Sequence, residues 1–250
     1  MSGHSKWATI KRQKGANDAK RGQLFTKLSK AITIAVRQGG GSPDPAMNFK
    51  LRLAIDAARG ANMPKDNIER AIQRASGANA QSLDEVVYEG FGPGGFSVIV
   101  EGLTDNKVRT VAEVKSIFNK NGGSMGAQGS VMYQFEKKGV ITVDKGSQSL
   151  DDIFLIGADH GAEDIEDADT EVMLYTQIED LTKVRDALHE EGLKINNADL
   201  LFRPIVMSPI ATKEDAEKAL QFVEKLEDND DVQKVSVNFD IPDALIEDTK

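Results

Sequence analysis

Apolar positions between residues 22 and 76 recur with the three-to-four-residue period of amphipathic helices. The first apolar stripe runs over residues 24–36, and the triplet Gly39–Gly41 followed by Pro43 ends it. Two shorter stripes follow, one from Met47 to Arg59 and one that begins at Pro64, a residue tolerated in the first turn of a helix. The pattern therefore predicts three helices, each burying one face in a small bundle.

From Glu85 onwards the pattern changes to strands. VVYEGF and FSVIVEGL flank a Gly-Pro-Gly-Gly turn, and a helix with Val108, Val111 and Phe118 on one side leads through a glycine-rich loop to a predicted strand, SVMYQF. GVITV, a helix near 149–160, EDIED, TEVMLYT, a helix with Leu181, Val184 and Leu188, and DLLFRPI then follow. This β-α-β-β-α-β order is that of the ferredoxin-like fold.

The chain closes with a helix from Thr212 to Glu227 and a strand, VQKVSVNF, that have no sheet of their own. The simplest solution returns this pair to the earlier strands. The fold class is then α+β, with a three-helix basic domain followed by two α/β domains, the last ferredoxin-like and inserted in the middle one. We predict domains at 1–80, at 81–136 plus 205–250, and at 137–204, with the polar stretch near 76–82 as a linker.

Charge is divided unequally between these regions. Residues 1–76 carry 15 Lys and Arg against five acids, a net charge of +10, whereas residues 77–250 carry 16 bases against 35 acids, a net charge of −19. Salt screens charges over about 8 Å, so separate domains present separate fields. An acidic chain can thus bind a polyanion through its basic end.

The basic region has two parts. The first two dozen residues show no apolar period, and we expect a mobile arm in which Trp7 stacks on a base or, equally, packs on the bundle. On the helices, Arg70 and Arg74 are four residues apart and share one face. The predicted nucleic-acid contacts are Lys6, Trp7, Lys11, Arg12, Lys14, Lys20, Arg21, Lys27, Lys30, Arg52, Arg59, Lys65, Arg70 and Arg74.

Two glycine-rich stretches imitate enzyme motifs. Gly90–Gly95 matches a dinucleotide fingerprint, but a strand follows it where that fold needs a helix, so a hairpin turn is predicted. Gly122–Gly126 matches a hydrolase nucleophile elbow with the flanking elements reversed. His4, His160 and His189 are scattered and cysteine is absent, so we expect no catalysis, no metal and no cofactor. No apolar run could cross a membrane, and a cytoplasmic location is expected.

Two further segments are candidates for a role outside the bundle. The acidic stretch AEDIEDADTE favours a solvated hairpin, with repulsion of nucleic acid as the alternative. The loop Asn119–Ser130 is either a plain connection or a flexible second contact for RNA or protein, since long loops often carry function. Its candidate residues are Asn121, Gly122, Gly123, Ser124, Met125 and Gly126.

Several long stretches resemble one known family. GHSKWATIK, AKRGQLFTKLSKAI, LRLAIDAARGANMPKDNIERAI, YEGFGPGGFSVIVEGLTDNKVRT and NGGSMGAQGSVMYQFEKKG are similar to signature stretches of the YebC family, also called PmpR-like, which includes the mitochondrial translational activator of cytochrome oxidase subunit one. The resemblance spans essentially the whole chain. It departs at Arg12-Gln13, Phe49-Lys50 and Met125, where charge or apolar character is kept. It implies a three-domain, non-catalytic protein that acts on gene expression.

Two functions are compatible with these features. In one, the basic bundle grips duplex DNA and the protein is a transcriptional regulator. In the other, the same surface grips ribosomal or transfer RNA and the protein assists synthesis of difficult peptide stretches at the ribosome, as some members of that family do. Phosphate contacts carry little sequence information, so the basic residues do not choose between them.

Overall fold

The computed structural model describes residues 18–40, 42–76, 83–146, 148–168, 170–242 and 245. Its N-terminal part contains three helices: α1 (Asp18–Gln38), α2 (Phe49–Gly60) and α3 (Lys65–Ser76). Their apolar stripes meet in one core that includes Ile32, Val36, Leu51, Ile55 and Ile68. The predicted bundle is confirmed, because each stripe found in the sequence is the face that the helix buries.

One helix begins later than the pattern predicts. The side chain of Asn48 accepts a hydrogen bond from the backbone N–H of Leu51 at 3.1 Å and caps α2. Met47 therefore precedes the helix and is 80% exposed, so its predicted place in the core is wrong. The apolar character of Met47 gave no sign that the next residue would act as the cap.

The middle region is built on a four-stranded sheet with helices on one face. Its elements are β1 (Asp84–Phe91), β2 (Ser97–Thr104), α4 (Lys107–Lys120), β3 (Ser124–Met125), and then, far along the chain, β8 (Ser208–Pro209), α7 (Lys213–Glu227), β9 (Val232–Val237) and β10 (Phe239–Asp240). The sheet order is β3-β1-β2-β9, while β8 and β10 form a small parallel pair. The closing helix and strand thus return to the earlier strands, as predicted.

Three phenylalanine side chains form the centre of this region's core. The ring centroid of Phe222 on α7 lies 5.1 Å from that of Phe118 on α4 and 6.0 Å from that of Phe96 beside β2. Both ring pairs are edge-to-face. All three are at most 2% exposed. The predicted hairpin turn at Gly90–Gly95 is confirmed, because β1 and β2 pair as antiparallel neighbours with Phe91 opposite Ser97.

The intervening residues form the ferredoxin-like unit. A 3₁₀ turn (Met132–Gln134) leads into β4 (Phe135–Asp144), α5 (Leu150–Ala158), β5 (Ala162–Ala168), β6 (Glu171–Thr176), α6 (Leu181–Glu190) and β7 (Ile195–Pro204). The sheet order β5-β6-β4-β7 is antiparallel throughout. SVMYQF is not the predicted strand, because its centre forms the 3₁₀ turn and only Phe135 joins β4. The exact domain boundaries stay a prediction.

The parts of the chain contact one another in two different ways. On one side, Phe49 and Leu53 of α2 join the apolar core of the ferredoxin-like unit, so this contact is mainly hydrophobic, with one ion pair between Asp56 and Arg185 at 3.5 Å. On the other side, the ammonium groups of Lys27 and Lys30 on α1 bind the last backbone oxygen of α7 and the carboxylate of Asp231 beyond it. Among the described residues, no helix combines the length and apolar character that crossing a bilayer requires.

Candidate nucleic-acid interface

A cleft of about 1070 Å³ separates the helical bundle from the middle region. One wall is formed by α1 and α3 and contains Arg70 and Arg74, and the other is formed by α4 and the segment after α7. The structure thus brings three of the predicted nucleic-acid contacts, Lys30, Arg70 and Arg74, to one concave surface. We call the α1–α3 side of this cleft the cationic wall.

The two arginines of the cationic wall have different surroundings. Both are exposed on the outer face of α3. The guanidinium of Arg70 donates to the backbone oxygen of Asp66 at 3.1 Å and to the side chain of Asn67. Arg74 has no hydrogen-bond or ion-pair partner among the residues that the structure describes, so its charge is available to a ligand.

The opposite wall centres on a buried carboxylate, Asp231, whose side chain is 5% exposed. It accepts hydrogen bonds from Arg109 at 2.7 Å and from the hydroxyls of Thr110 at 2.6 Å and Thr104 at 3.1 Å. Lys30 of α1 donates to its other oxygen at 2.6 Å. Burial alone would raise the pKa of Asp231, but these donors hold it well below its usual value.

Two predicted nucleic-acid contacts of α1 face this wall. Besides its bond to Asp231, Lys30 donates to the backbone oxygen of Asp230 at 2.9 Å. One helical turn earlier, Lys27 donates to the backbone oxygen of Glu227 at the end of α7. In this arrangement both ammonium groups are hydrogen-bonded within the protein, and both residues are half-buried.

The remaining predicted cations are spread over the bundle. Arg52 donates to the backbone oxygens of Pro45 and Ala46, both at 3.2 Å, and so holds the turn before α2. Arg59 lies 3.8 Å from Asp56 and Lys65 lies 3.6 Å from Glu69, in exposed pairs that are weak in water. Arg21 is exposed on α1. Lys6, Trp7, Lys11, Arg12 and Lys14 lie outside the described residues, as does the side chain of Lys20.

The predicted second contact loop is tied down rather than flexible. Asn121 caps the end of α4, with its backbone N–H and side chain on the oxygen of Ile117. Ser124 and Met125 then pair with Phe91 and Gly90 as strand β3. A Cβ at Gly123 would lie 2.7 Å from the oxygen of Phe91, so this glycine serves close internal packing. These contacts favour the plain connection between α4 and β3, and the role of the loop as a second contact stays a prediction. Gly122 keeps a left-handed backbone with φ 78°.

A buried acid that the sequence analysis missed organises the rest of this loop. Glu89 of β1 is 4% exposed. Its carboxylate accepts the backbone N–H groups of Gly129 at 2.7 Å, Val131 at 2.9 Å and Met132 at 2.8 Å. Burial opposes ionisation of Glu89, but these three donors lower its pKa. Its position inside an otherwise half-buried strand was the only available signal in the sequence.

The acidic stretch is also built into the fold. The predicted hairpin is confirmed, because β5 pairs with β6 as an antiparallel neighbour and Ala168 lies opposite Glu171. Its acids are paired with cations of the same sheet and are not simply solvated. Lys138 lies 2.6 Å from Glu163, Lys145 lies 2.6 Å from Asp167, and Arg203 lies 3.0 Å from Glu166. Part of its charge is therefore neutralised within the protein. In the part of the chain described, no three His, Asp or Glu residues are grouped to hold a metal ion.

The depressed pKa of Asp231 predicts a specific acid response. A carboxylate with a lowered folded-state pKa contributes stability that is complete above its unfolded-state pKa, roughly 4, and is lost as the pH falls toward the folded-state pKa. We expect Asp231→Asn to be less stable than the parent chain at pH 7, with a difference that shrinks below about pH 4. Urea unfolding of both proteins across this range measures it, and a difference independent of pH would contradict the assignment.

The fold and the site define a class: an α+β protein in which a cationic three-helix domain precedes two α/β domains. Comparisons with known proteins place it further. The family model described as the TACO1/YebC protein N-terminal domain matches residues 5–78, and the model of the TACO1/YebC second and third domain matches residues 83–239. The chain belongs to the TACO1/YebC family.

Individual relatives agree with this membership. A protein of Chloroflexus aggregans named "Probable transcriptional regulatory protein" is 50% identical over 99% of this chain and 98% of its own. A protein of Trichlorobacter lovleyi with the same name is 50% identical over 96% of both chains. The crystal structure of the conserved hypothetical protein Aq1575 from Aquifex aeolicus is 41% identical, with a TM-score of 0.84 over 90% of this chain and 93% of that one. The names of the Chloroflexus aggregans and Trichlorobacter lovleyi proteins support a regulatory role at the general level.

Proposed function

We propose that this protein is a non-catalytic, DNA-binding transcriptional regulator, and that DNA contacts it through the cationic helical domain. The observation that carries the proposal is the placement of Arg70 and Arg74 on the exposed face of α3, with Arg74 unpartnered among the described residues. Exposed guanidinium groups without internal partners are the groups that bind phosphate. The names of the relatives support a role in transcription.

The charge division of the chain supports the same surface. Residues 1–76 have a net charge of +10 and residues 77–250 a net charge of −19, so phosphates are attracted to one end of the chain and repelled from the other. A cytoplasmic location suits such a role.

The alternative function, an RNA-binding translation factor at the ribosome, is favoured by one observation. Side chains that read DNA bases usually come from the N-terminal turns of a helix. In α3 the side chain of Asn67, which occupies that position, is held by Arg70. A surface that offers mainly phosphate contacts suits structured RNA as well as duplex DNA.

One double variant tests the proposed surface. Arg70→Gln/Arg74→Gln is expected to weaken binding of a short DNA duplex about tenfold or more, because a hydrogen bond to a charged group contributes roughly 1.5–3 kcal/mol. The slope of log Kobs against log salt should fall by about 1 for each lost phosphate contact. Fluorescence anisotropy with a labelled duplex, repeated over a range of salt concentrations, measures both quantities.

The matched control removes two positive charges from the middle region, outside the helical domain. Lys115 and Lys120 of α4 are exposed, and their side chains have no hydrogen-bond or ion-pair partner among the described residues. Lys115→Gln/Lys120→Gln should therefore leave affinity and slope unchanged. Equal losses in both double variants would contradict a localised interface.

Crosslinking in cells, followed by sequencing of bound DNA and RNA, decides between the functions. Promoter DNA supports the regulator, and ribosomal or transfer RNA supports the translation factor.

A further inference from the structure

We call residues 83–242, which hold the middle region and the ferredoxin-like unit, the body. The contact between α1 and the body is made by lysines that, under the proposed function, would bind nucleic acid. Lys30 lies 2.6 Å from the carboxylate of Asp231, and its side chain is 20% exposed. Lys27 donates to the backbone oxygen of Glu227. An ammonium group held by a carboxylate or carbonyl has few donors left for a phosphate oxygen. Binding to the body and binding to nucleic acid therefore compete for the same two side chains.

The charges that line the cleft strengthen this competition. Four cationic side chains face it, Lys30, Arg70, Arg74 and Arg109, together with five carboxylates, Asp105, Glu113, Asp228, Asp230 and Asp231. A phosphate chain that followed the cationic wall toward Lys30 would approach these carboxylates, which repel it. While Lys30 is bound to Asp231, the cleft therefore repels a polyanion beyond Arg70 and Arg74.

The two sides of the bundle are attached by different forces. On the α2 side, Phe49 and Leu53 enter the apolar core of the ferredoxin-like unit, a contact that salt and phosphates do not weaken. On the α1 side, no residue of α1 is part of the apolar core between α4 and α7, as far as the described residues extend. The bundle can therefore stay attached through α2 while the charged α1 side separates.

We propose that Lys27 and Lys30 form an autoinhibitory latch, in which Asp231 and the end of α7 hold α1 against the body and withhold both lysines from nucleic acid. Binding of nucleic acid and closure of the latch are then coupled with opposite sign: each weakens the other. The inference rests on the proposed nucleic-acid binding and adds its regulation. Any change that weakens the bond between Lys30 and Asp231 therefore raises the affinity for nucleic acid.

Asp231→Asn in the full-length protein tests the latch. It removes the charge that attracts Lys30 and keeps the shape of the side chain. We expect duplex affinity to rise about tenfold, within the usual range of coupling between sites, and the salt slope to grow by up to about 2, because two lysines become available to phosphates. Asp84→Asn is the matched control: it removes the same charge by the same substitution, but Asp84 pairs with Lys107 and does not line the cleft, so affinity and slope should not change.

A distance measurement reports the latch without relying on affinity. The chain has no cysteine, so dyes can be placed at Gln73→Cys on α3 and Lys115→Cys on α4, both exposed positions on opposite sides of the cleft. Energy transfer should fall in Asp231→Asn and, in the otherwise unaltered protein, on saturation with duplex. The second measurement keeps the test valid if Asp231→Asn fails to fold.

The outcomes separate the two proposals. Binding with unchanged energy transfer at saturation overturns the latch alone. Equal affinity in a folded Asp231→Asn and the parent protein also overturns it. Absence of duplex and RNA binding in every variant overturns the proposed function and, with it, the inhibitory role of the latch.

Discussion

Phe222→Ala is expected to lower the free energy of unfolding of this protein by roughly 3–5 kcal/mol, the usual effect of removing a buried aromatic ring. Phe222 is fully buried, and its ring packs edge-to-face with those of Phe118 and Phe96, at centroid distances of 5.1 and 6.0 Å. It projects from α7, while its partners come from residues about a hundred positions earlier. Its loss removes the contact through which the end of the chain completes the middle sheet.

Urea unfolding followed by circular dichroism measures this effect, because the midpoint shifts in proportion to the stability lost. Gln221→Ala is the matched control: it is the neighbouring residue on the same helix, it is exposed, and its substitution should change stability by no more than about 0.5 kcal/mol. A loss below about 1 kcal/mol for Phe222→Ala would show that α7 is not an integral part of this core.

Glu89→Ala is expected to cost roughly 2–4 kcal/mol, because three buried or half-buried backbone N–H groups lose their acceptor together. Gly129, Val131 and Met132 would each be left with an unsatisfied donor. The segment that links the glycine-rich loop to β4 should then exchange its amide hydrogens faster. Hydrogen exchange of residues 129–132, read by NMR, measures the local effect, and urea unfolding measures the global one.

Two comparisons make the Glu89 prediction specific. Glu89→Gln keeps one oxygen and should have an intermediate effect, because its amide group cannot accept at both positions. Glu85→Ala removes an exposed acid from the same strand and should be nearly neutral. Since the pKa of Glu89 is lowered in the folded state, its contribution is complete near neutral pH and is lost as the pH falls below about 4. Equal exchange rates in all variants would show that Glu89 does not hold the segment 129–132 in place.

Sequence patterns located most elements because periodicity is a local property. The stripes of α1, α2 and α3 and the strands around the Gly-Pro-Gly-Gly turn follow from spacing alone. The errors fell where a single tertiary contact decided the outcome. Asn48 fixed the start of α2, and the backbone bonds to Glu89 turned the predicted strand SVMYQF into a 3₁₀ turn before β4.

The candidate interface shows the same division. The spacing of Arg70 and Arg74 was sufficient to place both on one helix face. For Lys30, the sequence indicated an outward position on α1, but its partner Asp231 lies about 200 residues away and no local pattern connects them. Position on a helix was predictable, whereas the use of the side chain was not.

The sequence by itself determined the α+β class, the helical bundle, the return of the last strand to the middle sheet and the concentration of positive charge at one end. Only the tertiary structure decided which of those charges remain free, because ion pairs and buried hydrogen bonds form between residues that are distant in the chain. Helix and strand patterns depend on neighbours in sequence. The pairing of a lysine with a carboxylate or a phosphate depends on what the fold brings next to it.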